Sequence, residues 1–232
     1  MYGRKVKQLF DEASSTYTYL LWDAKTGEAA LVDSVREQVE RDERIIRDMG
    51  LKLGWLLETH IHADHITGSG ILRERFGSEV KVAVHKASGS DCADRLLQDG
   101  DMIKLGDETI TVLYTPGHTD TDVSFLIDGA VFTGDTLLIN GSGRTDFQSG
   151  DAGVAYDSIT GKLFTLPGST KVYPGHDYNG RKESTIADEM ASNPRLGGGR
   201  TREEYIDIMQ GLKLAKPARI DEAVPGNMVC GL

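Results

Sequence analysis

Short apolar runs separated by turn residues dominate the first third of the chain. Residues 16–23 (T-Y-T-Y-L-L-W-D) are aromatic and β-branched, and residues 29–32 (A-A-L-V) follow a turn at Gly27. This pattern predicts two strands joined by a tight turn. Behind Ser34, a candidate N-cap, apolar residues recur at helical spacing through a charged stretch that stops at Gly50. That segment predicts an amphipathic helix.

A second series of strand-like runs surrounds a histidine-rich loop. Residues 51–57 are strand-like and lead directly into the sequence T-H-I-H-A-D-H at residues 59–65. A helix is expected at residues 66–76. Further strand-like runs, separated by Gly and Asp turns, lie at residues 80–84, 109–114, 123–127, 131–133 and 171–173. Strands and helices therefore occur in two successive sets, which predicts one α/β domain over residues 1–232, with two sheets packed as a sandwich and flanked by helices.

Five of the six histidines fall in three short clusters, and each cluster follows a strand-like run. The second and third clusters are T-P-G-H-T at residues 115–119 and Y-P-G-H-D-Y at residues 173–178, and F-T-G-D-T at residues 132–136 adds an aspartate after another strand. Neutral imidazoles crowded in this way usually coordinate a metal, whereas the isolated His85 is interpreted as a packing residue. The pattern predicts a metal site at one edge of the sheets, built from His60, His62, Asp64, His65, His118, Asp135 and His176.

Composition and charge narrow the range of partners. The chain has 232 residues, of which 39% are hydrophobic and 27% charged, as in ordinary globular proteins, and its formal net charge is −10. Nucleic acids and anionic membranes are bound through basic surfaces, so we expect neither as a partner. If the substrate is an anion, its site must be locally basic.

The expected cellular location depends on whether the sequence contains a membrane helix or a targeting segment. No apolar run approaches the roughly 18–20 residues of a membrane helix. Arg4, Lys5 and Lys7 are followed by no apolar stretch, so we predict neither a secretory signal nor a transit peptide and expect a cytoplasmic protein. Cys92 and Cys230 lie far apart and outside any metal-binding spacing, so we expect no disulfide and interpret both as packing residues, with modified thiols as the alternative.

The ordered combination His-x-His-x-Asp-His, Pro-Gly-His-Thr, Gly-Asp-Thr and Gly-His resembles the metallo-β-lactamase superfamily. The resemblance implies an αββα four-layer sandwich with the metal at one sheet edge. It would place His60, His62 and His118 on a first metal, Asp64, His65 and His176 on a second, and Asp135 between them. The number of metals stays open at this point.

Four further segments are similar to those of one branch, the persulfide dioxygenases: G-R-T-D-F-Q-S-G at 143–150, Y-P-G-H-D-Y-N-G at 173–180, N-P-R-L at 193–196 and A-V-P-G-N-M-V-C-G at 223–231. This resemblance spans essentially the whole chain. It implies a glutathione persulfide dioxygenase that uses iron(II) and O2 to form sulfite and glutathione, and it suggests a homodimer. One iron per chain would be held by His60, His118 and Asp135, a set that leaves positions open for O2 and sulfur. His62, Asp64, His65 and His176 would orient the ligands and bound water.

Glutathione carries two carboxylates, which an acidic protein must meet with placed cations. Arg195 is the first candidate for a bidentate contact, and the resemblance suggests Tyr178 and Thr119 as hydrogen-bonding neighbours. Arg144 and Arg181 are further candidates. A structural salt bridge is the alternative for each arginine, above all for Arg144, which lies two residues from Asp146.

Three alternatives remain open on the sequence. A glyoxalase II-like hydrolase would use two metals on a glutathione thioester, and every ligand type that it needs is present. The G-R-T-D-F-Q segment and the short stretch after His176 argue against it. A β-lactamase-type hydrolase is disfavoured because nothing indicates secretion, and a non-catalytic binding module because no position of the expected ligand set is missing.

Overall fold

A computed structural model of the protein describes residues 4–232, which form two six-stranded sheets. The first six strands make the first sheet in chain order: β1 (Arg4–Asp11), β2 (Thr16–Asp23), β3 (Glu28–Val32), β4 (Lys52–Leu57), β5 (Lys81–His85) and β6 (Arg95–Leu97). The second sheet follows the same rule: β7 (Met102–Leu105), β8 (Glu108–Tyr114), β9 (Val123–Ile127), β10 (Ala130–Gly134), β11 (Lys171–Pro174) and β12 (Ser184–Thr185). Each half of the chain therefore supplies one sheet.

Parallel pairing in both sheets brings the loops of the site together. In the first sheet β3, β4, β5 and β6 run parallel, while β1, β2 and β3 pair antiparallel. In the second sheet only β10 and β11 run parallel, and the remaining neighbours are antiparallel. Because parallel strands end at the same edge, the loops after β10 and β11 share an edge of the second sheet, and the loop after β4 meets that sheet where Val123 N–H donates to the carbonyl of Thr59.

Six α-helices accompany the sheets: α1 (Val39–Asp48), α2 (Ser69–Phe76), α3 (Ala152–Ser158), α4 (Ile186–Ser192), α5 (Arg202–Gln210) and α6 (Ile220–Met228). A 3-10 turn (Arg36–Gln38) precedes α1, another (Lys86–Ser88) follows β5, and a π turn (Ile159–Leu163) continues α3. No helix of residues 4–232 is long and apolar enough to cross a membrane.

The core has three layers of buried side chains, as an αββα sandwich requires. The middle layer joins the two sheets and includes Tyr19, Leu21 and Phe125. A second layer, with Leu20 and Ile46, lies between the first sheet and α1 and α2, and a third lies between the second sheet and α3, α4 and α5. Neighbouring residues of β2 enter different layers because successive side chains point to opposite faces of a strand. The predicted four-layer sandwich is thus confirmed.

Several element boundaries differ from the predicted ones. Ser34 does not cap a helix: its hydroxyl contacts the hydroxyls of Thr67 and Ser69 at 3.2 Å, and α1 begins only at Val39. The helix expected from residue 66 begins at Ser69, because residues 66–68 still belong to the loop that follows the histidines. The prediction that the N-terminus is neither a secretory signal nor a transit peptide concerns a segment whose first three residues lie outside the described residues, so it stays a prediction.

The prediction that the two cysteines are unpaired was wrong. Cys92 and Cys230 form a disulfide with their Cα atoms 5.9 Å apart, across 138 residues of sequence. The C-terminal segment folds back over α2, where Gly70 N–H donates to the carbonyl of Cys230 at 2.8 Å. A Cβ on Gly70 would lie 2.6 Å from that carbonyl oxygen, so glycine permits the close approach that brings the cysteines together.

Candidate metal centre

The site lies at the sheet edge where β4, β8, β10 and β11 end, and it is assembled from both sheets. Val123 N–H donates to the carbonyl of Thr59 at 2.8 Å, and Gly175 N–H donates to the carbonyl of Gly134 at 2.7 Å. Gly134 has a φ of +49°, and a Cβ there would lie 2.4 Å from Thr59 Oγ1. Only glycine therefore allows the loop after β4 and the aspartate after β10 to approach this closely.

His60, His118 and Asp135 form a compact group of possible metal ligands. One ligand atom from each lies within 4.8 Å of the others, and His118 Nε2 is 3.6 Å from Asp135 Oδ2. The rings of His60 and His118 are nearly perpendicular, with centroids 4.9 Å apart. Two imidazoles and a carboxylate thus converge on one point.

The orientation of His60 is set by Asp33 through Thr59. Thr59 Oγ1 donates to Asp33 Oδ2 at 2.9 Å, and His60 Nδ1 lies 3.0 Å from the same hydroxyl oxygen. Because the hydroxyl proton goes to the carboxylate, the oxygen accepts the Nδ1 proton of His60. The lone pair of His60 is therefore on Nε2, the nitrogen left for a metal.

His118 is fixed in the same tautomer by a backbone carbonyl. Its Nδ1 donates to the carbonyl oxygen of Arg144 at 2.7 Å, which leaves the Nε2 lone pair free. Gly143 makes room for this contact, because a Cβ there would lie 2.8 Å from the His118 ring. The segment that carries Arg144 thus acts on the site through its backbone.

His62, Asp64, His65 and His176 surround the three-residue group. His62 Nε2 lies 3.2 Å from Asp33 Oδ1, and His65 Nδ1 lies 2.9 Å from Asp64 Oδ2. His176 Nδ1 donates to the carbonyl of Ser15 at 2.9 Å, which leaves its Nε2 3.5 Å from Asp135 Oδ1. All four predicted neighbours are therefore at the site, and His62, Asp64 and His65 also have ligand atoms within 4.8 Å of one another.

Burial and neighbouring charges divide the histidines electrostatically. Burial, and next the nearby His62 and His118, hold the pKa of His60 well below its usual range, so this imidazole is neutral. Burial alone would lower the pKa of His62, but the carboxylates of Asp33 and Glu58 outweigh it and raise that pKa well above the usual range. The pKa of His176 is likewise raised, against burial, by Asp135 and then by Asp64.

The donor set fits a transition-metal ion. Asp135 Oδ1 is buried and makes no hydrogen bond within residues 4–232, a costly condition that a positive ion would relieve. The atoms that converge with this carboxylate are Nε2 of His60 and Nε2 of His118, and the tautomers described above leave a lone pair on each. Two histidines and one carboxylate on a single face suit a first-row metal and leave coordination positions open.

A cavity of about 440 Å³ opens beside this group, a size usual for a small-molecule site. His118, Asp135 and His176 line it together with Tyr178 and Arg195. Arg195 Nη1 donates to the carbonyl of Ser142 at 2.5 Å, but its guanidinium has no carboxylate partner within residues 4–232. Burial lowers the pKa of Arg195 because the buried guanidinium loses solvation that its protein contacts do not fully replace. An anion that entered the cavity would supply the missing countercharge and would therefore be attracted to this cation.

Tyr178 stands at the rim of this cavity. It is 75% exposed, and its ring is parallel to that of His176 with centroids 6.1 Å apart. Partial desolvation, and next the carboxylates of Asp135 and Asp64, raise the pKa of the phenol to about 12. The phenol therefore stays protonated and can donate a hydrogen bond.

The other three predicted substrate contacts have partners within the protein. Arg144 lines the cavity, but Nε and Nη2 bind Asp146 and Nη1 donates to a backbone carbonyl, which matches the structural salt bridge considered for it. The Arg181 guanidinium binds Asp177 through Nε and Nη2. The Thr119 hydroxyl is buried and donates to Asp122 at 2.7 Å. Neither Arg181 nor Thr119 lines the cavity, so the structure does not support direct substrate contact at these two positions.

Three residues that shape the site were not predicted. Asp33 and Glu58 contact His62, and each directly follows a buried strand, a position that could have drawn attention to them. Asn227 holds the histidine loop by donating to the carbonyls of His62 and His65, both at 2.9 Å. No signal in the sequence connects this C-terminal asparagine with the loop.

The Metallo-beta-lactamase superfamily matches residues 12–176 of the chain. A curated relative, the mitochondrial persulfide dioxygenase ETHE1 of Homo sapiens, is 45% identical over 229 residues, which cover 98% of this chain and 89% of the relative. The crystal structure of ETHE1 from Myxococcus xanthus is 50% identical, with a TM-score of 0.95, and the match covers 98% of this chain and 100% of that chain. Glyoxylase B2 of Dictyostelium discoideum is more distant, at 29% identity over 88% of this chain and 82% of its own length.

Proposed function

Because the chain belongs to the persulfide dioxygenase family of the metallo-β-lactamase superfamily, we propose that it oxidises glutathione persulfide with O2 to sulfite and glutathione. The structural observation that supports this proposal most directly is the position of three ligand-type side chains next to a cavity that contains an arginine. His60, His118 and Asp135 converge beside a cavity of about 440 Å³ that also contains Arg195, whose guanidinium has no carboxylate partner among the described residues. A tripeptide persulfide would place its carboxylate on the arginine and its sulfur at the metal.

We propose iron(II), one ion per chain, as the metal, held by His60 Nε2, His118 Nε2 and a carboxylate oxygen of Asp135. The donor set suits this ion, although it also suits zinc and manganese. When bound, iron would supply the redox chemistry that O2 requires.

The protein's own residues bind, orient and neutralise. Arg195 binds a glutathione carboxylate, and Tyr178 donates a hydrogen bond at the rim. Thr59 and the Arg144 carbonyl hold the two imidazoles in the tautomer that presents Nε2. The reaction consumes water and releases two protons when sulfite forms, and His176 Nε2, between Asp135 and Asp64, is placed to hold a proton there.

The test is O2 consumption by protein of known iron content on addition of glutathione persulfide, with glutathione alone as the control. We expect rapid uptake, stoichiometric sulfite and about one iron per chain. Anaerobic hydrolysis of lactoylglutathione without any O2 uptake would instead assign the site to the glyoxalase class. As a check on the ligands, Asp135→Ala should lose both iron and O2 uptake; a variant that kept both would contradict the assignment.

The same proposal extends to the domain organisation, oligomeric state, location and partners of the protein. We propose that residues 1–232 form a single domain, that the protein acts as a homodimer in the cytoplasm, and that it binds neither nucleic acid nor membrane. The formal net charge of −10 supports the absence of an anionic macromolecular partner. Light scattering at several protein concentrations measures the oligomeric state directly.

A further inference from the structure

A second and larger cavity lies directly beside the site. It is a groove of about 810 Å³ between β1 and the loop that follows β11. Tyr178 lines both this groove and the 440 Å³ cavity, so the two spaces share a wall. Ser15, whose carbonyl accepts the Nδ1 proton of His176, lines the groove as well. A ligand that enters the site past Tyr178 could therefore extend into the groove.

The charged side chains of the groove differ in whether they are paired, although the chain as a whole is acidic. Its two acidic residues are already paired: Asp177 binds Arg181, and Glu183 binds Lys171 and Tyr173. Its two lysines, Lys7 and Lys182, make no ion pair or side-chain hydrogen bond within the described part of the chain. The unpaired charges of the groove are thus both positive, which favours an anionic ligand.

Aromatic side chains make up a large part of the remaining wall. Phe10 is 42% exposed and Tyr178 is 75% exposed, and Tyr17 and Tyr173 also line the groove. The rings of Phe10 and Tyr17 have centroids 5.0 Å apart. Exposed aromatic rings next to unpaired lysines are the combination that binds a planar base attached to phosphate, by stacking and by charge.

Hydrogen bonds hold the two walls of the groove together. Gln8 Nε2 donates to the carbonyl of Lys182 at 2.8 Å, and the Tyr17 hydroxyl donates to the carbonyl of Arg181 at 3.0 Å. The Tyr19 hydroxyl donates to the carbonyl of Pro174 at 2.6 Å. The loop after β11 is therefore attached to β1 and β2, so the groove is preformed and little ordering free energy opposes binding.

We propose that this groove, defined by Lys7, Phe10, Tyr17, Tyr178 and Lys182, is a subsite for the tail of a persulfide larger than glutathione persulfide. The tail would end in a phosphorylated aromatic base, as in coenzyme A persulfide. This inference rests on the proposed function, because the persulfide sulfur would react at the same metal site. The balance is unchanged: R–S–SH, O2 and H2O give R–SH, sulfite and two protons, with R now the coenzyme A carrier.

Binding of the tail alone tests the subsite without catalysis. The probe is adenosine 3′,5′-bisphosphate, titrated calorimetrically into the iron-loaded protein. We compare wild type with Lys7→Glu/Lys182→Glu and with the control Lys52→Glu, an exposed lysine at the start of β4, the end remote from the histidine loop. Two charge reversals should weaken binding by about tenfold or more, and the control should leave it unchanged. Thermal unfolding establishes that each variant is folded.

A kinetic comparison tests the substrate class. The double variant should lower kcat/KM for coenzyme A persulfide by about tenfold while kcat/KM for glutathione persulfide stays within about twofold. No probe binding at about 1 mM, or binding that the double variant leaves intact, would overturn the subsite. So would a double variant that turned a wild-type dimer into a monomer, because the groove would then be an interface between copies. Probe binding in a protein that oxidises no persulfide would refute the proposed function and leave the nucleotide site standing.

Discussion

Removing one buried hydroxyl should show how far the metal site depends on residues that touch no metal. In Thr59→Val the side chain keeps its shape, but His60 Nδ1 and Asp33 Oδ2 lose the oxygen that lies 3.0 Å and 2.9 Å from them. Asp33 Oδ1 retains its contacts with the backbone N–H of Thr59 and with His62, whereas Asp33 Oδ2 and the His60 N–H both lose the partner that the hydroxyl supplied.

Two estimates give the size of this change, one for the free energy of an unpaired buried donor and one for the affinity of the site for metal. A buried donor without an acceptor costs about 1–3 kcal/mol. Loss of a residue that orients a metal-bound histidine usually costs about 10–100-fold in metal affinity, which is about 1.4–2.7 kcal/mol. We therefore expect Thr59→Val to bind iron about 10–100-fold more weakly and Thr59→Ser, which keeps the hydroxyl, to bind it almost normally.

The assay is competition for metal against a chelator of known affinity, with wild type, Thr59→Ser and Thr59→Val measured side by side. Urea unfolding of the metal-free proteins separates a loss of affinity from a loss of fold. If the folded valine variant bound metal as tightly as wild type, the hydroxyl would not orient His60. The relay from Asp33 would then have to be abandoned.

Three further results are expected. Burial raises the pKa of Asp42 to about 6, so the folded state binds this proton more tightly than the unfolded state. The free energy of unfolding should therefore fall by up to about 3 kcal/mol between pH 4 and pH 6. Asp42→Asn should abolish this fall in urea unfolding, and an unchanged pH profile in the variant would contradict the assignment. The Cys92–Cys230 disulfide joins residues that are 138 positions apart, so its removal in Cys230→Ser should lower the free energy of unfolding by up to about 5 kcal/mol. A variant as stable as wild type in urea unfolding would contradict the pairing. Arg195→Ala should raise KM for glutathione persulfide by about tenfold, Arg195→Lys by less, and an unchanged KM would remove the residue from the binding site.

The sequence predicted the elements whose patterning is strong. The strands around residues 16–23, 123–127 and 131–133 are buried on both faces and read as apolar runs, and the structure has strands there. The sequence gives weaker signals for β1 and β6. β1 (R-K-V-K-Q-L-F-D) is an edge strand in which Lys5, Lys7 and Phe10 are exposed and Asp11 is buried, and β6 has only three residues. Neither carries the periodicity that a buried strand imposes.

The ligand types could be predicted because they are crowded in sequence, but their orientations could not. Three histidines within six residues mark a site without any knowledge of the fold. Which nitrogen of His60 or His118 faces the metal depends instead on Thr59, on the Arg144 carbonyl and on their distances. The cysteine pairing failed for a similar reason, since 138 residues separate its members and only the folded C-terminal segment brings them together.

Asn227 shows why a residue remote in sequence can be required by a local motif. The histidine loop turns back on itself while buried, so its backbone groups need partners that neither sheet supplies. An asparagine side chain offers two donors and one acceptor, and here it donates to the carbonyls of His62 and His65 and accepts from Thr67 N–H at 2.7 Å. An aspartate could make only the last of these bonds. The seven ligand-type residues thus supply the chemistry of the site, while a side chain more than 150 residues away fixes the backbone from which three of them project.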